Sequence, residues 1–407
     1  MTGDGWAFAT RDPFGIRPGY CLINDDVVVV ASERPAIQAA FNVPPEAVTE
    51  LPPGSALLVS PSGEVIFSSL DNRMSDVESP QTDKPINCQT VKQAQRSCAF
   101  ERIYFSRAND ADIHRERKAL GAALLPQILK AADAPLEDIF FSYIPNSARI
   151  AFHGLLEELF SCVLCGKKIP RFGEIAVKDA KFRTFIADAA ARREFYKHVY
   201  DVTYGLVRPG QDTLVVLDDS IVRGNTMKNA ILPMLDRLGP KRIVIASSAP
   251  PIRYPDCYGI DMSTLGELVA FRALVNLLGN GEQENANAEL LEALRHSEHP
   301  HDSSRSARFK CFNPLADLYA RFTDEQHCDE IARLLTPPGM KAEVKVVYQT
   351  AEDLRRCLQP PNPQAPEPPS HPVGDWYFTG DYPTPGGYKV LYTALENYLE
   401  HKNERSY

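Results

Sequence analysis

The stretch Leu214-Val215-Val216-Leu217-Asp218-Asp219-Ser220-Ile221-Val222-Arg223-Gly224-Asn225-Thr226 decides how this chain folds. Its first four residues make an apolar run of the length of a buried strand, and the run stops on two acids. A turn of small residues, Arg223-Gly224-Asn225-Thr226, leads into an amphipathic pattern from Met227 to Leu238. The spacing predicts strand, loop and helix. Such a loop offers backbone N–H groups at a helix N-terminus, where unpaired amides and the helix dipole both favour an anion. Adjacent carboxylates just before it suit ribose hydroxyls or a divalent cation bound through oxygen. Read for structure alone, the same acids end a strand and the same turn caps a helix.

Working outward, Ile139 to Ile144 is a second buried-strand candidate, running into Pro145-Asn146-Ser147-Ala148-Arg149 and then a helix through Phe160. That loop reads either as a second anion site or as an ordinary capping turn. Glu116 to about Ala132 reads as one helix, and Arg242 to Ala246 as a third buried strand. Strands alternating with helices from Ile139 to about Leu278 predict an α/β fold with a mainly parallel sheet covered on both faces. A ligand then belongs at the carboxyl ends of the strands. Residues 1–70 read differently: Val27–Ala31, Ala56–Val59 and Glu64–Ser68 are short strands, the last two joined by Pro61-Ser62-Gly63, with one helix over Glu33–Asn42.

The chain has 407 residues, of which 44% are hydrophobic, enough for two or three domains with real cores. A net charge of -9 offers no general attraction for nucleic acid or an anionic membrane. No apolar run approaches the roughly 18 residues of a membrane span, and Met1-Thr2-Gly3-Asp4-Gly5 has no secretory pattern, so a cytoplasmic location is expected. Nine cysteines fit reduced thiols better than a disulfide framework. Cys162-Val163-Leu164-Cys165 has metal-ligand spacing but lies in an apolar helix, where core thiols are expected. The basic stretch from Lys167 to Ile186 is either a solvated face or a loop that meets phosphate charge. The histidines from His296 to His301 lack ligand geometry and read as loop. Residues 71–92 and 360–372 read as linkers, the second rich in proline.

The string Asp218 to Thr226 resembles the phosphoribosyl pyrophosphate (PRPP) motif of type I phosphoribosyltransferases, and with Ser-Ile-Val-Arg-Gly it resembles the form found in glutamine PRPP amidotransferases. Arg11-Asp12-Pro13-Phe14-Gly15-Ile16-Arg17-Pro18 resembles a signature late in the glutaminase domain of that family. Cys98-Ala99-Phe100-Glu101, Cys257-Tyr258-Gly259-Ile260-Asp261-Met262, Glu267-Leu268-Val269-Ala270 and Tyr377-Phe378-Thr379-Gly380 continue the likeness.

The resemblance implies a type I phosphoribosyltransferase fold preceded by part of an N-terminal-nucleophile glutaminase. It divides the chain into a partial glutaminase region at 1–72, a linker or insertion at 73–92, a transferase domain at 93–280 and a helical C-terminal region at 281–407. It also implies transfer of ammonia to PRPP, giving 5-phosphoribosylamine and pyrophosphate in purine synthesis. The PRPP-binding residues implied are Asp218, Asp219, Ser220, Arg223, Gly224, Asn225, Thr226, Ser147, Lys178 and Arg183. Ser147, Asp218 and Asp219 would meet Mg2+, and Lys178 and Arg183 would belong to a loop that closes over the ligand. Ammonia or glutamine as nitrogen donor, inhibitory purine nucleotides and a homo-oligomer are implied too, with neither nucleic acid nor membrane.

Two departures qualify it. The chain starts ten residues before the Arg-Asp-Pro signature, without the family's nucleophilic cysteine, so the expectation is a C-terminal portion with no glutaminase activity of its own. The C-terminal cysteine pair of cluster-bearing members is missing, with Tyr377 in place of one cysteine, so no iron-sulfur cluster is expected. The competing readings are a salvage or orotate phosphoribosyltransferase and a PRPP-sensing regulator without catalysis.

Overall fold

The computed structural model describes residues 1–70, 96–163, 170–178, 200–298, 312–358 and 373–402. The chain divides into two compact units, Met1–Ile113 with Gln359–Gly374 and His114–Leu358 with Asp375–Tyr407. Among the described residues no helix is long and apolar enough to cross a membrane.

The first unit is built from short strands: β1 (Ala7–Thr10), β2 (Tyr20–Ile23), β3 (Val28–Ala31), β4 (Thr49–Glu50), β5 (Ser55–Val59), β6 (Val65–Ser69) and β7 (Ser97–Cys98). They form two antiparallel sheets, β1-β5-β6 and β3-β2-β4, while β7 pairs in parallel with Val373–Gly374. The helix Arg34–Phe41 stops at Asn42, which takes the left-handed conformation. Arg11 of the Arg-Asp-Pro string is only 5% exposed. Its guanidinium donates to the Arg17 carbonyl at 3.0 Å and to Glu50 at 2.8 Å. The Asp12 carboxylate accepts from the N–H groups of Phe14 and Ile16 at 3.0 and 3.1 Å. The turn is braced from within, so its first two charges serve the fold and are not an exposed decoration.

The second unit holds β8 (Ile139–Tyr143), β9 (Arg171–Phe172), β10 (Ala176–Lys178), β11 (Tyr200–Val202), β12 (Thr213–Asp218), β13 (Arg242–Ser247) and β14 (Glu343–Tyr348). Five of these form one sheet in the order β14-β13-β12-β8-β9, parallel at every step. Alternation along the strands sends side chains to two cores. Leu214 and Val216 join Ile243, Ile245, Ile231 and Leu335 on one face. Val215 and Leu217 join Val244, Ala246, Leu155 and Ile128 on the other. Both faces are covered, which is why these strands read as continuous apolar runs.

One contact fixes the helices of the second face closely. A Cβ on Gly121 would lie 1.7 Å from the Ala151 carbonyl oxygen, and one on Gly154 would lie 1.9 Å from that of Lys118. Helix backbones touch there, and only glycine permits it.

Several expected boundaries are corrected. The helix expected from Glu116 to Ala132 is two, Ala111–Ala123 and Leu125–Ala132, because Pro126 has no N–H to continue the ladder. Within the C-terminal region expected to be helical, the helix is interrupted between Ala316–Ala320 and Asp324–Leu335. Thr323 restarts it with a capping box completed by Gln326. Strand β14 lies within the region read as helical beyond residue 280. Cys162 is exposed at the end of the helix Arg149–Val163 rather than in the core, and Cys165 lies outside the described residues. The expected linkers at 73–92 and 360–372 also lie outside them, as do residues 299–301 of the histidine-rich patch.

Candidate functional site

In chain order the sheet reads second, first, third, fourth, fifth, so the direction of winding reverses between β8 and β12. Loops leaving the carboxyl ends of strands at such a reversal point spread apart and leave a crevice between them. The two loops here are Pro145 to Ala148 and Asp219 to Thr226, the same two singled out from the sequence. Ile144 N–H donates to the Leu217 carbonyl at 2.8 Å, so the strands stay paired up to the base of the crevice.

The loops meet at Asp219. Its carboxylate accepts a hydrogen bond from the Ser147 hydroxyl and another from Ser220 Oγ at 3.2 Å. Asp219 N–H donates to Asp218 Oδ1 at 2.9 Å. The carbonyls of both acids are tied to the loop after β13, by Ser248 N–H at 2.9 Å and Ala249 N–H at 3.0 Å. Ser147, Asp218, Asp219 and Ser220 thus lie together at this junction.

Electrostatics mark the acid pair. Burial and then the neighbouring charge of Asp219 push the Asp218 carboxyl well above the usual range, against its bond from the Asp219 amide. Burial also raises Asp219, opposed by the bonds from Ser147 and Ser220 and by the charge of Arg117. Taking an ionised carboxylate out of water costs several kcal/mol, whereas a hydroxyl hydrogen bond returns about 1 kcal/mol. The hydroxyls alone do not balance an ionised pair; a bound proton or a divalent cation would. Among the described residues no three His, Cys, Asp or Glu side chains gather into a metal cage. The donor set therefore fits a hard cation held by one or two carboxylates and completed by ligand oxygens.

Beyond the acids the chain turns sharply. Gly224 has φ +75°, which favours glycine, and a Cβ there would lie 2.2 Å from Leu335 Cδ2 and push that side chain aside. Asn225 and Thr226 are exposed, and the helix that follows opens with a π turn over Met227–Ile231 before Leu232–Asp236. Pro233 lies at the start of that second part and can give no N–H to the Asn229 carbonyl, so the ladder widens there. Arg223 is placed with a different role from the one its charge suggests. Its guanidinium donates to Glu267 at 2.7 Å and to the Asp261 carbonyl at 3.0 Å, so it offers the crevice its backbone rather than a free cation.

Lys178 ends β10, opposite Tyr200 of β11, in a two-stranded sheet of its own, and Arg183 lies outside the described residues. Sequence reasoning missed Arg117 and the brace from Ser248 and Ala249. Arg117 lies in the stretch read from the sequence as a helix, which carries no sign of its nearness to Asp219. A cleft of about 750 Å³ also runs along β14, past Lys130, Arg253 and Lys345. It contains none of the expected site residues, and these cations are paired with Glu325, Asp324 and Asp329.

Sheet order, two loops at the reversal point and a paired-acid turn define a type I phosphoribosyltransferase fold. A solved structure described as the allosteric regulatory enzyme of purine biosynthesis matches 93% of this chain and 61% of its own, with a TM-score of 0.56 and 24% identity. Glutamine PRPP amidotransferase from B. subtilis, complexed with ADP and GMP, matches 93% of this chain and 62% of its own, with a TM-score of 0.54 and 21% identity.

In sequence the chain is similar to amidophosphoribosyltransferases. It is 29% identical to that of Methanocaldococcus jannaschii over 266 residues, 64% of this chain and 51% of the relative. The chain spans about half the length of the curated relatives it matches. No protein-family model matches it. The resemblance read from the signatures is borne out, and the competing phosphoribosyltransferase readings are not favoured.

Proposed function

We propose that this chain transfers ammonia to carbon 1 of PRPP, releasing pyrophosphate and forming 5-phosphoribosylamine. The observation that carries the reading is the junction of the Ser147 and Asp218-Asp219 loops at the reversal point of the sheet, with the Gly224 turn beside it. Amides of Arg223 to Thr226, with the Thr226 hydroxyl, hold the 5-phosphate and fix the ribose for attack. Asp218 and Asp219 face the ribose hydroxyls. The ammonia lone pair attacks C1, the bond from C1 to the pyrophosphate oxygen breaks, and the nitrogen gives a proton to solvent.

Ser147, Asp218 and Asp219 would hold Mg2+, which would supply charge neutralisation for the departing pyrophosphate. Lys178 and Arg183 belong, in this reading, to the segment that closes over that group and excludes water. Purine nucleotides are the inhibitors this reading expects, supported by the ADP and GMP bound to the B. subtilis relative. A cytoplasmic homo-oligomer completes it.

The test is pyrophosphate release from PRPP with Mg2+ in the presence of ammonium, glutamine or purine bases. Release driven by ammonium is expected. Release driven by a base would replace this reading with a salvage enzyme, and PRPP binding without release under any acceptor would leave a PRPP-sensing protein.

A further inference from the structure

We propose that Arg272, on the helix Val269–Gly279 behind the candidate phosphate turn, is a positioning residue that aims the amides of that turn at the ligand. The inference rests on the phosphoribosyl reading of the turn and adds a residue to it.

Three consecutive carbonyls of the turn are engaged by donors of the second unit. The Val222 carbonyl accepts from Val269 N–H at 2.9 Å, and the Gly224 carbonyl from Lys228 N–H at 2.9 Å. Between them, the Arg223 carbonyl accepts from Arg272 Nη2 at 2.7 Å. The two flanking bonds are backbone to backbone and survive any side-chain change. The middle one depends on Arg272.

Peptide planarity makes this consequential. In a trans peptide the C=O and the following N–H point in opposite directions. Holding the Arg223 carbonyl toward the Val269–Gly279 helix therefore turns the Gly224 N–H the other way, toward the side the anion would occupy. The same geometry at Val222 and Gly224 orients the amides of Arg223 and Asn225. The result is a row of amides of the kind that cradles phosphate.

The placement of Arg272 also departs from that of an ordinary structural arginine. Its Nε is buried and makes no hydrogen bond among the described residues. Glu267, whose charge acts on Arg272, gives its carboxylate to Arg223 at 2.7 Å. A half-buried guanidinium is thus kept short of partners and spent on one carbonyl of the turn. Its positive charge also stands behind amides that would face a dianion.

The experiment is calorimetric titration of the full chain, wild type, Arg272→Gln and Arg272→Lys, with ribose 5-phosphate and separately with pyrophosphate plus Mg2+. Arg272→Gln is expected to weaken ribose 5-phosphate binding about tenfold, the loss of one charge-assisted bond. Pyrophosphate binding, at the other end of the crevice, is expected to stay within about twofold. Arg272→Lys keeps the charge and one donor, and should recover part of the loss.

With turnover, KM for PRPP rises while kcat holds, because the bond is equally present in ground and transition states. Equal loss for both ligands, or no loss for ribose 5-phosphate in a folded variant, overturns the role of Arg272 alone. Should Arg272→Gln fail to fold, wild-type affinity for ribose 5-phosphate in Arg272→Lys overturns it equally, since lysine cannot reproduce the geometry. Failure of the wild type to bind ribose 5-phosphate would instead sink the phosphoribosyl reading itself.

Discussion

Strand β12 is flanked by buried acids, Asp212 just before it and Asp219 just after it beside half-buried Asp218, and the protein treats its two ends in opposite ways. At its start Asp212 has no exposed side-chain surface. It accepts from Arg171 Nη1 at 2.8 and 2.9 Å, from Arg208 Nε at 2.8 Å and from the Arg208 N–H at 2.6 Å. Burial pushes its pKa up, but the Arg208 and Arg171 bonds together outweigh burial and hold it below the usual value. At the other end Asp218 and Asp219 are raised by burial, with hydroxyls, amides and the field of Arg117 as partial relief. An acid neutralised inside the chain is architecture. A buried pair left short of positive charge asks for it from outside.

The most drastic way to break this comparison is at the ligand end. Asp218→Asn with Asp219→Asn is expected to cut ammonia-driven pyrophosphate release by at least about a hundredfold. Urea unfolding of the same protein should show stability equal to or above wild type, because a buried repulsion is gone. Clear destabilisation would mean that the acids serve the fold after all.

At the opposite end, Asp212→Ala leaves Arg171 and Arg208 facing a buried space and is expected to cost roughly 3 kcal/mol in urea unfolding, near the low end for a broken buried pair because both arginines are partly exposed. Ribose 5-phosphate affinity of the folded fraction should not change. A loss of affinity at full stability would erase the division between the two ends.

The smallest effect sharpens the contrast through pH. Asp212 has a depressed folded pKa, so its contribution is present above the unfolded value of 3.8 and fades as pH falls through the lower folded value. Asp218 and Asp219 have raised values, so their contribution is full below 3.8 and is lost as pH rises through the folded values. Unfolding measured between about pH 4 and pH 8 should show the second loss in wild type and not in the doubly amidated variant. Mg2+ should restore stability at the upper end of that range and release protons on binding, readable as a buffer-dependent heat. A pH profile identical in the two proteins would remove the electrostatic account of the pair.

Much of this was legible because the decisive features are local. The apolar runs of β8, β12 and β13 announce strands buried on both faces, and each loop follows its strand within a few residues. Gly224 was visible as a turn residue, though not the Leu335 side chain that packs against it. What escaped depends on pairings across long stretches of chain. Strand β14 reads Glu343-Val344-Lys345-Val346-Val347-Tyr348, with charges breaking the apolar run because it lies at the sheet edge. Glu343 pairs with Arg242 and Lys345 with Asp329, partners that no periodicity reveals. The same holds for Arg171 with Asp212, for Arg117 near Asp219 and for Arg272 behind Arg223. The basic residues nearest the motif in sequence were the natural candidates for ligand contact, yet Arg223 spends its side chain on Glu267 and Asp261.

The position of β14 has a consequence for the order of assembly. Strand β13 ends at Ser247 and its neighbour β14 begins only at Glu343, whereas β12 and β13 are separated by a single short crossover. Closing a longer loop costs more chain entropy before any pairing repays it, and distant pairings slow folding. The β12–β13 pair, with the acid turn and its brace from Ser248 and Ala249, therefore closes at the lowest chain-entropy cost in the sheet. The acid turn thus sits on the most local strand pair of the sheet, and the rim along β14 on the least local one.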